Sequence, residues 1–254
     1  MGAKPAFSIV TCTWNSAATL ADTLASVQRQ TCRDVEHIFV DGGSVDATLD
    51  MIAAYPGRKR VLRDIKGGIS RAMNQGIEAA SGEYVAHLHA DDYYAAADVL
   101  ALVADRFAGA QADWVFGTIQ VLKDGQLIPP TPMRAFSYRA FASGYASVPH
   151  PAVFIRRSVF SRVGLFDESL KYAMDIDLWL RLGRVARPVT VDRPLTVFRD
   201  HAGSVSSSNK MAARQEEFRV RRRHMGQAPL AFGIYCLRYL KRMRQLRAEA
   251  ILTS

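Results

Sequence analysis

Over the first ninety residues, short apolar runs alternate with segments whose apolar positions recur every three to four residues. Phe7–Cys12 reads as a buried strand. Leu20, Leu24 and Val27 follow at helical spacing, and Asn15 or Ser16 can cap that helix. His37–Val40 is a second strand that breaks at Asp41-Gly-Gly-Ser44. The glycines there permit a tight turn, and Ser44 can cap a helix carrying Leu49 and Ile52. Arg60–Leu62 is a weaker third strand. Ile69, Ala72, Met73, Gly76, Ile77 and Ala80 then mark a helix over Gly68–Ala80, with Gly82 suited to the residue just past its end. A fourth run, Tyr84–Leu88, stops at His89-Ala-Asp-Asp92.

Three strand–helix units in this span predict an α/β fold with a mostly parallel, doubly wound, Rossmann-like sheet. Right-handed crossovers place all the strand ends on one edge. The polar ends at Cys12–Asn15, Asp41 and Asp91 are then expected to converge where such sheets bind ligands.

The second half is mixed. A helix around Val99–Phe107 leads to a strand over Trp114–Leu122, and Asp124-Gly125 is a hairpin signal joining it to Gln126–Ile128. Pro129, Pro130 and Pro132 break the pattern, and residues 131–150 read as loop or short helix. Ala152–Ile155 reads as a strand and Ser158–Val163 as a short helix. Asp177 begins a helix with Leu178, Leu180 and Leu182, and Val189–Val191 and Leu195–Phe198 are short strands. Residues 212–224 read as a helix ending in Arg221-Arg-Arg-His224, followed by an apolar run, Leu230–Leu237. The expected division is one domain over 1–208, with a first half over about 6–110 and a mixed half over about 111–208, and a basic helical extension over 209–254.

Composition narrows the class. A chain of 254 residues with 49% hydrophobic and 22% charged residues can bury one full α/β core. Three cysteines without CxxC spacing argue against a disulfide framework or a zinc site and fit a reducing compartment. Phe7–Val10 is too short for a signal-peptide core, and no 18-residue apolar stretch is present. The net charge is +9, but residues 209–254 hold eleven Lys/Arg against three Glu, which leaves +1 for residues 1–208. Basicity confined to a tail disfavours nucleic acid as a partner, since that would call for cations across a binding face.

His89-Ala-Asp-Asp92 ends a buried strand with paired acids. Adjacent carboxylates repel unless a cation or donors offset them, and hard oxygen ligands suit Mg²⁺ or Mn²⁺. Alternatively, Asp91 or Asp92 caps a segment beginning near Ala95.

Eight short strings decide between such readings by their order. They are Ser8-Ile-Val-Thr-Cys-Thr-Trp-Asn15, Val40-Asp-Gly-Gly-Ser-Val-Asp46, Lys66-Gly-Gly-Ile-Ser-Arg-Ala-Met-Asn-Gln-Gly76 and Ala80-Ser-Gly-Glu-Tyr84, then His89-Ala-Asp-Asp92, Val163-Gly-Leu-Phe-Asp-Glu168, Met174-Asp-Ile-Asp-Leu-Trp-Leu-Arg181 and Arg199-Asp-His201. Together they resemble the family 2 glycosyltransferases of GT-A fold over roughly residues 6–205. The resemblance implies an inverting, metal-dependent transfer of a sugar from a nucleoside diphosphate sugar, most often a UDP-sugar, to an acceptor hydroxyl.

It also implies roles for individual residues. Trp14, beside Cys12, packs on the nucleobase, and Asp41 accepts a hydrogen bond from the base. Lys66 and Gly68 line the donor site, with Arg71 near the phosphates at a position where many relatives carry an acid. Asp91 binds Mn²⁺ or Mg²⁺ with Asp92 in support, and His89 stands where the family often has Asp or Asn. Asp175 is the general base, preceded by Met174 in place of the usual Glu. His201 approaches the metal or diphosphate, and His150 faces the acceptor. The alternatives by residue type are a core aromatic for Trp14, an Asx-turn acid for Asp41, a solvated lysine for Lys66 and a helix-start acid for Asp175.

The tail gives the expected location. An apolar run followed by Arg238, Lys241, Arg242, Arg244 and Arg247 suits an anionic membrane surface. That predicts a cytoplasmic enzyme held peripherally at the inner face of the membrane and acting on a saccharide or lipid-linked acceptor in surface polysaccharide or oligosaccharide synthesis. The same tail alternatively serves as a homo-dimer helix or a solvated extension. Two other functions compete with this one. A nucleotidyltransferase would want a Gly-rich, Lys/Arg-containing phosphate loop where Cys12-Thr-Trp-Asn15 stands. A non-catalytic nucleotide- or carbohydrate-binding relative sits poorly with intact Asp91 and Asp175. A dehydrogenase is excluded by the lack of GxGxxG after the first strand.

Overall fold

A computed structural model describes residues 4–200 and 209–252. One mixed sheet of nine strands runs through the protein in the order β3-β2-β1-β4-β8-β6-β9-β5, with β7 hairpinned onto β6. The strands are β1 (Phe7–Thr13), β2 (Val35–Asp41), β3 (Lys59–Leu62), β4 (Tyr84–His87), β5 (Tyr93–Tyr94), β6 (Trp114–Lys123), β7 (Gln126–Ile128), β8 (Val153–Arg156) and β9 (Pro188–Asp200). The helices are α1 (Leu20–Gln28), α2 (Thr48–Ala54), α3 (Ile69–Ala79), α4 (Val99–Ala110), α5 (Tyr138–Ala142), α6 (Phe160–Val163), α7 (Met174–Val185), α8 (Lys210–Arg223) and α9 (Pro229–Leu252).

The first four strands are parallel, and β8 then pairs antiparallel with both β4 and β6. This gives the expected parallel half and mixed half. The apolar runs are continuous because both faces are covered. Along each strand, alternate residues enter opposite cores. Phe7, Ile9, Tyr84, Ala86, Val115 and Phe154 pack with Val99, Val103 and Phe107 of α4. Val10, Val85, Trp114, Phe116, Val153 and Ile155 pack with Met73 and Ile77 of α3 and Leu178 and Trp179 of α7. Val220 of α8 and Ala231 of α9 belong to that second core. The two helices of the basic extension join that core, α8 against α7 and α9 against α5.

Several local expectations give way to tertiary contacts. Asn15 and Ser16 do not cap α1, whose N-cap is Thr19. Asn15 takes a left-handed conformation and accepts a hydrogen bond from Val45 N. Ser44 does not cap α2, because its hydroxyl donates to Asp41. Gly82 is not a helix terminator. α3 ends at Ala80, and a Cβ at Gly82 would lie 2.7 Å from Ser8 Oγ on β1. Neither Asp91 nor Asp92 caps a helix, since α4 starts after Asp98. The two late strands are one, β9, with register shifts against β6 at Gly117–Ile119. β5 was not expected at all. α7 begins at Met174 rather than Asp177, whose carboxylate instead pairs with Arg181 and His224.

Candidate active site

Strand order reverses at β1: β2 and β3 lie to one side and β4 to the other. The carboxyl ends of β1 and β4 flank that switch point, where α/β sheets bind ligands. A cavity of about 1040 Å³ opens there. Its lining includes Cys12 and Trp14 from the end of β1, His89–Asp92 after β4, His150 before β8, Asp175 at the start of α7, and Arg199 near the end of β9. The cavity thus unites Cys12, Trp14, Asp91, Asp92, His150 and Asp175 from the residues singled out in the sequence.

Trp14 stands at the rim with 71% of its surface exposed, an aromatic face with nothing packed on it to make it a core residue. Its turn is braced from β2. Trp14 N donates to Ser16 Oγ, Asn15 N to Ser44 Oγ, and Ser16 N to Thr48 Oγ1. Asp41 lies behind this brace. It is wholly buried and outside the cavity, and its carboxylate accepts from Thr13 Oγ1, Ser44 Oγ and the N–H groups of Gly43 and Ser44 at 2.6–2.9 Å. Burial raises its pKa, but those hydrogen bonds outweigh it and hold the carboxyl below its ordinary range. With four donors on its two oxygens, Asp41 shapes the turn that carries Trp14. Lys66 and Gly68 are exposed on the loop before α3, and Arg71 is exposed in its first turn. Only their neighbour Ile69 lines the cavity. His201 lies outside the described residues.

The acidic turn is held from two sides. Thr23 of α1 donates to Asp92 O at 2.7 Å. Arg199 donates its backbone N–H to Asp92 Oδ1 and its Nε to Asp91 O, both at 3.2 Å, and bonds Asp22 through Nη2. Asp92 is buried, and its pKa is pushed well above the ordinary carboxylate value by that burial and by Asp91. Asp91 is half-buried and reaches the cavity. Among the described residues, no three His, Cys, Asp or Glu are grouped to hold a metal alone. Hard divalent cations bound with nucleotides need no such cage, since one or two carboxylates plus phosphate oxygens and water suffice. Asp91 fits that arrangement.

Behind the turn, His150 stacks on Phe166 at 5.5 Å and stands 5.4 Å from both His87 and His89. Burial, together with the neighbouring imidazoles, pushes His150 well below its ordinary pKa, so it is neutral near pH 7. Opposite, Asp175 is half-buried with its Oδ1 accepting from Ile176 N at 2.7 Å. Burial raises its pKa to about 6, with Glu217 adding to the rise and Arg221 opposing it.

The far wall comes from the basic extension: Lys210, Ala213, Arg214 and Glu217 of α8, and Arg242 and Leu246 of α9. Sequence reasoning missed this wall, and Arg199 with it. Arg199 at least stood inside a recognised string, whereas nothing in the local pattern of residues 210–246 points inward.

Two solved structures share this fold. One, S. aureus TarS 1–349 in complex with UDP-GlcNAc, aligns with TM-score 0.72 at 20% identity over 86% of this chain and 65% of that one. The mannosyltransferase PcManGT from Pyrobaculum calidifontis, in complex with GDP-Man and Mn²⁺, aligns with TM-score 0.67 at 17% identity over 99% and 79%. The fold is therefore of the GT-A class. In sequence, an uncharacterized glycosyltransferase of Mycobacterium tuberculosis is 33% identical over 75% of this chain and 74% of its own length. A PGL/p-HBAD biosynthesis glycosyltransferase of Mycobacterium bovis is 34% identical over 77% and 75%. The Glycosyl transferase family 2 pattern matches residues 8–163, more than half of the chain. The protein belongs to that family and is a glycosyltransferase.

Proposed function

We propose that the protein is an inverting, metal-assisted glycosyltransferase that takes its sugar from a nucleoside diphosphate sugar, a UDP-sugar. The observation that carries this reading is one cavity at the sheet's switch point holding Trp14, Asp91 and Asp175. Trp14 offers a stacking face for the base. Asp91, with Asp92 behind it, would hold Mn²⁺ or Mg²⁺ against the diphosphate, and the bound cation would supply charge neutralisation for the departing diphosphate. Asp175 takes the proton from the acceptor hydroxyl as that oxygen attacks the anomeric carbon. The new C–O bond forms on the face opposite the breaking bond to the diphosphate. A base with a pKa near 6 is ionised at neutral pH yet more basic than an ordinary aspartate. His150, neutral and beside the acidic turn, is placed to hydrogen-bond the acceptor sugar.

The outward face of α9 supports peripheral attachment to the cytoplasmic face of a membrane, and with it a lipid-linked acceptor in surface polysaccharide or oligosaccharide synthesis. Leu230, Ile234, Leu237 and Leu240 are exposed there beside the exposed Arg238, Lys241 and Arg244. This combination suits anionic lipid better than a dry subunit interface, which is depleted of charge at its core. No helix among the described residues is long and apolar enough to cross a membrane.

Calorimetry with UDP and turnover assays with UDP-sugars test the site. Asp91→Asn should abolish the Mn²⁺-dependent part of nucleotide affinity, and Asp175→Asn should keep that affinity while transfer disappears. Equal affinity of wild type with and without EDTA, or turnover by Asp175→Asn, would refute the reading.

A further inference from the structure

α7 starts without a cap of its own. Its N-cap, Ala173, offers no side-chain acceptor, and the N–H groups of residues 171–173 just before it find their acceptor on another helix. The acceptor comes from α8. Glu216 is buried, and its Oε1 accepts from Lys171 N at 2.9 Å, Tyr172 N at 2.6 Å and Ala173 N at 2.8 Å. A carboxylate gathering three amides is a charge-assisted clamp, roughly twice as strong per bond as a neutral acceptor. It also sits at the positive end of α7, where a negative charge is favoured.

Asp175 follows this clamped turn by two residues. The neighbouring helical positions reinforce the attachment. Glu217 is paired with the buried Arg221, which itself donates to Phe141 O and Ala142 O, and His224 is paired with Asp177 one turn into α7. Arg223 is bonded to Asp167 on the loop leading into the turn. Glu216, Arg223 and His224 of α8 thus each bond the 167–177 stretch that carries Asp175, while Arg221 ties the same helix to α5.

We infer that Glu216 is a positioning residue for Asp175: by holding the 171–173 amides it fixes where the carboxylate stands relative to the acceptor hydroxyl. The inference rests on Asp175 being the general base. Geometry predicts the response. A displacement of about 1 Å at a reacting group costs about 100-fold in rate. Glu216→Asp is one methylene too short to reach three amides, so kcat should fall about 100-fold while the donor KM stays within about 2-fold. Glu216→Gln keeps an acceptor oxygen at full reach but loses the charge, so kcat should fall only about 10-fold.

Both variants are assayed at least 15 °C below their own melting temperatures, so that loss of folded protein does not count as loss of rate. The inference is overturned if either folded variant turns over at the wild-type kcat, if Gln is as damaged as Asp, or if donor KM rises in step with the fall in kcat. A role in holding the helices together would lower the melting temperature and leave kcat alone. Asp175→Asn separates the two levels. Turnover by that variant removes the base assignment and this inference together. An inactive Asp175→Asn beside a fully active Glu216→Asp removes only the positioning role.

Discussion

Replacing Asp175 by Asn should abolish transfer and make the protein more stable. Burial raises this carboxyl from its ordinary 3.8 to about 6, because the folded state disfavours the charged form. A rise of that size corresponds to roughly 3 kcal/mol at about 1.36 kcal/mol per pH unit. The side chain is only half-buried, so water screens part of it, and about 1.5 kcal/mol is the working figure. The folded-state pKa lies above the unfolded one. The stabilising contribution of the neutral acid is therefore complete below about pH 4 and lost as pH rises through about 6. At pH 7.5 the wild type bears the whole penalty and the amide avoids it. Asn also keeps a carbonyl oxygen for the Ile176 N–H. For a chain of this size, 1.5 kcal/mol corresponds to a melting temperature roughly 3–6 °C higher. Scanning calorimetry at pH 7.5 and at pH 4, at constant ionic strength, should show the gain at the first pH and its disappearance at the second. A variant less stable than wild type at pH 7.5, or a gap that persists at pH 4, would refute the argument that Asp175 is held ionised against its burial.

Three further outcomes follow from particular contacts. In wild type, kcat measured at saturating donor and acceptor should rise with pH and be half-maximal near pH 6, in step with ionisation of Asp175; a limb near pH 4 would point to an ordinary exposed carboxylate. Trp14→Ala removes the exposed platform at the rim and should weaken UDP binding by about 1–2 kcal/mol, close to 10-fold by calorimetry; unchanged affinity would take the base off Trp14. Leu230→Gln with Leu237→Gln should release the protein from vesicles rich in anionic lipid while leaving turnover of a water-soluble acceptor intact; continued co-sedimentation, or a switch from dimer to monomer on sizing, would assign the α9 face to something other than lipid.

The parallel half of the fold was legible because its signals are local. β1, β2 and β4 are short runs apolar on both faces, and α1 and α3 carry one clean stripe each. The helix ends were not legible, and for one physical reason. Asn15, Ser44 and Asp177 are good capping residues, but each is recruited by a partner far away in sequence. Asn15 and Ser44 brace the loops after β1 and β2 against each other, and Asp177 binds His224. α7, conversely, starts without a local side-chain cap, after a turn whose 171–173 amides are held by Glu216, 43 residues downstream of Ala173. A rule that reads caps from neighbours must then place the start at the next acid, Asp177.

The site divides along the same line. Trp14, Asp91 and Asp175 lie at strand or helix ends, and their place in ordered strings carries them to one cavity. The wall opposite them comes from the basic extension, where residue type misleads. Arg221-Arg-Arg223 reads as a solvated cationic run, yet Arg221 is buried on Phe141 and Tyr235 and paired with Glu217. In α9 the apolar residues split between two directions, Ala231, Tyr235, Met243 and Leu246 inward and Leu230, Ile234, Leu237 and Leu240 outward. A helical wheel sees only their sum, apolar all round. The consequence is functional. One helical hairpin faces the catalytic cavity with α8 and solvent with the outer side of α9, so residues 209–252 cannot be removed as a mere anchor. Deleting them strips the clamp from α7 and one wall from the cavity, and should abolish transfer even with a water-soluble acceptor.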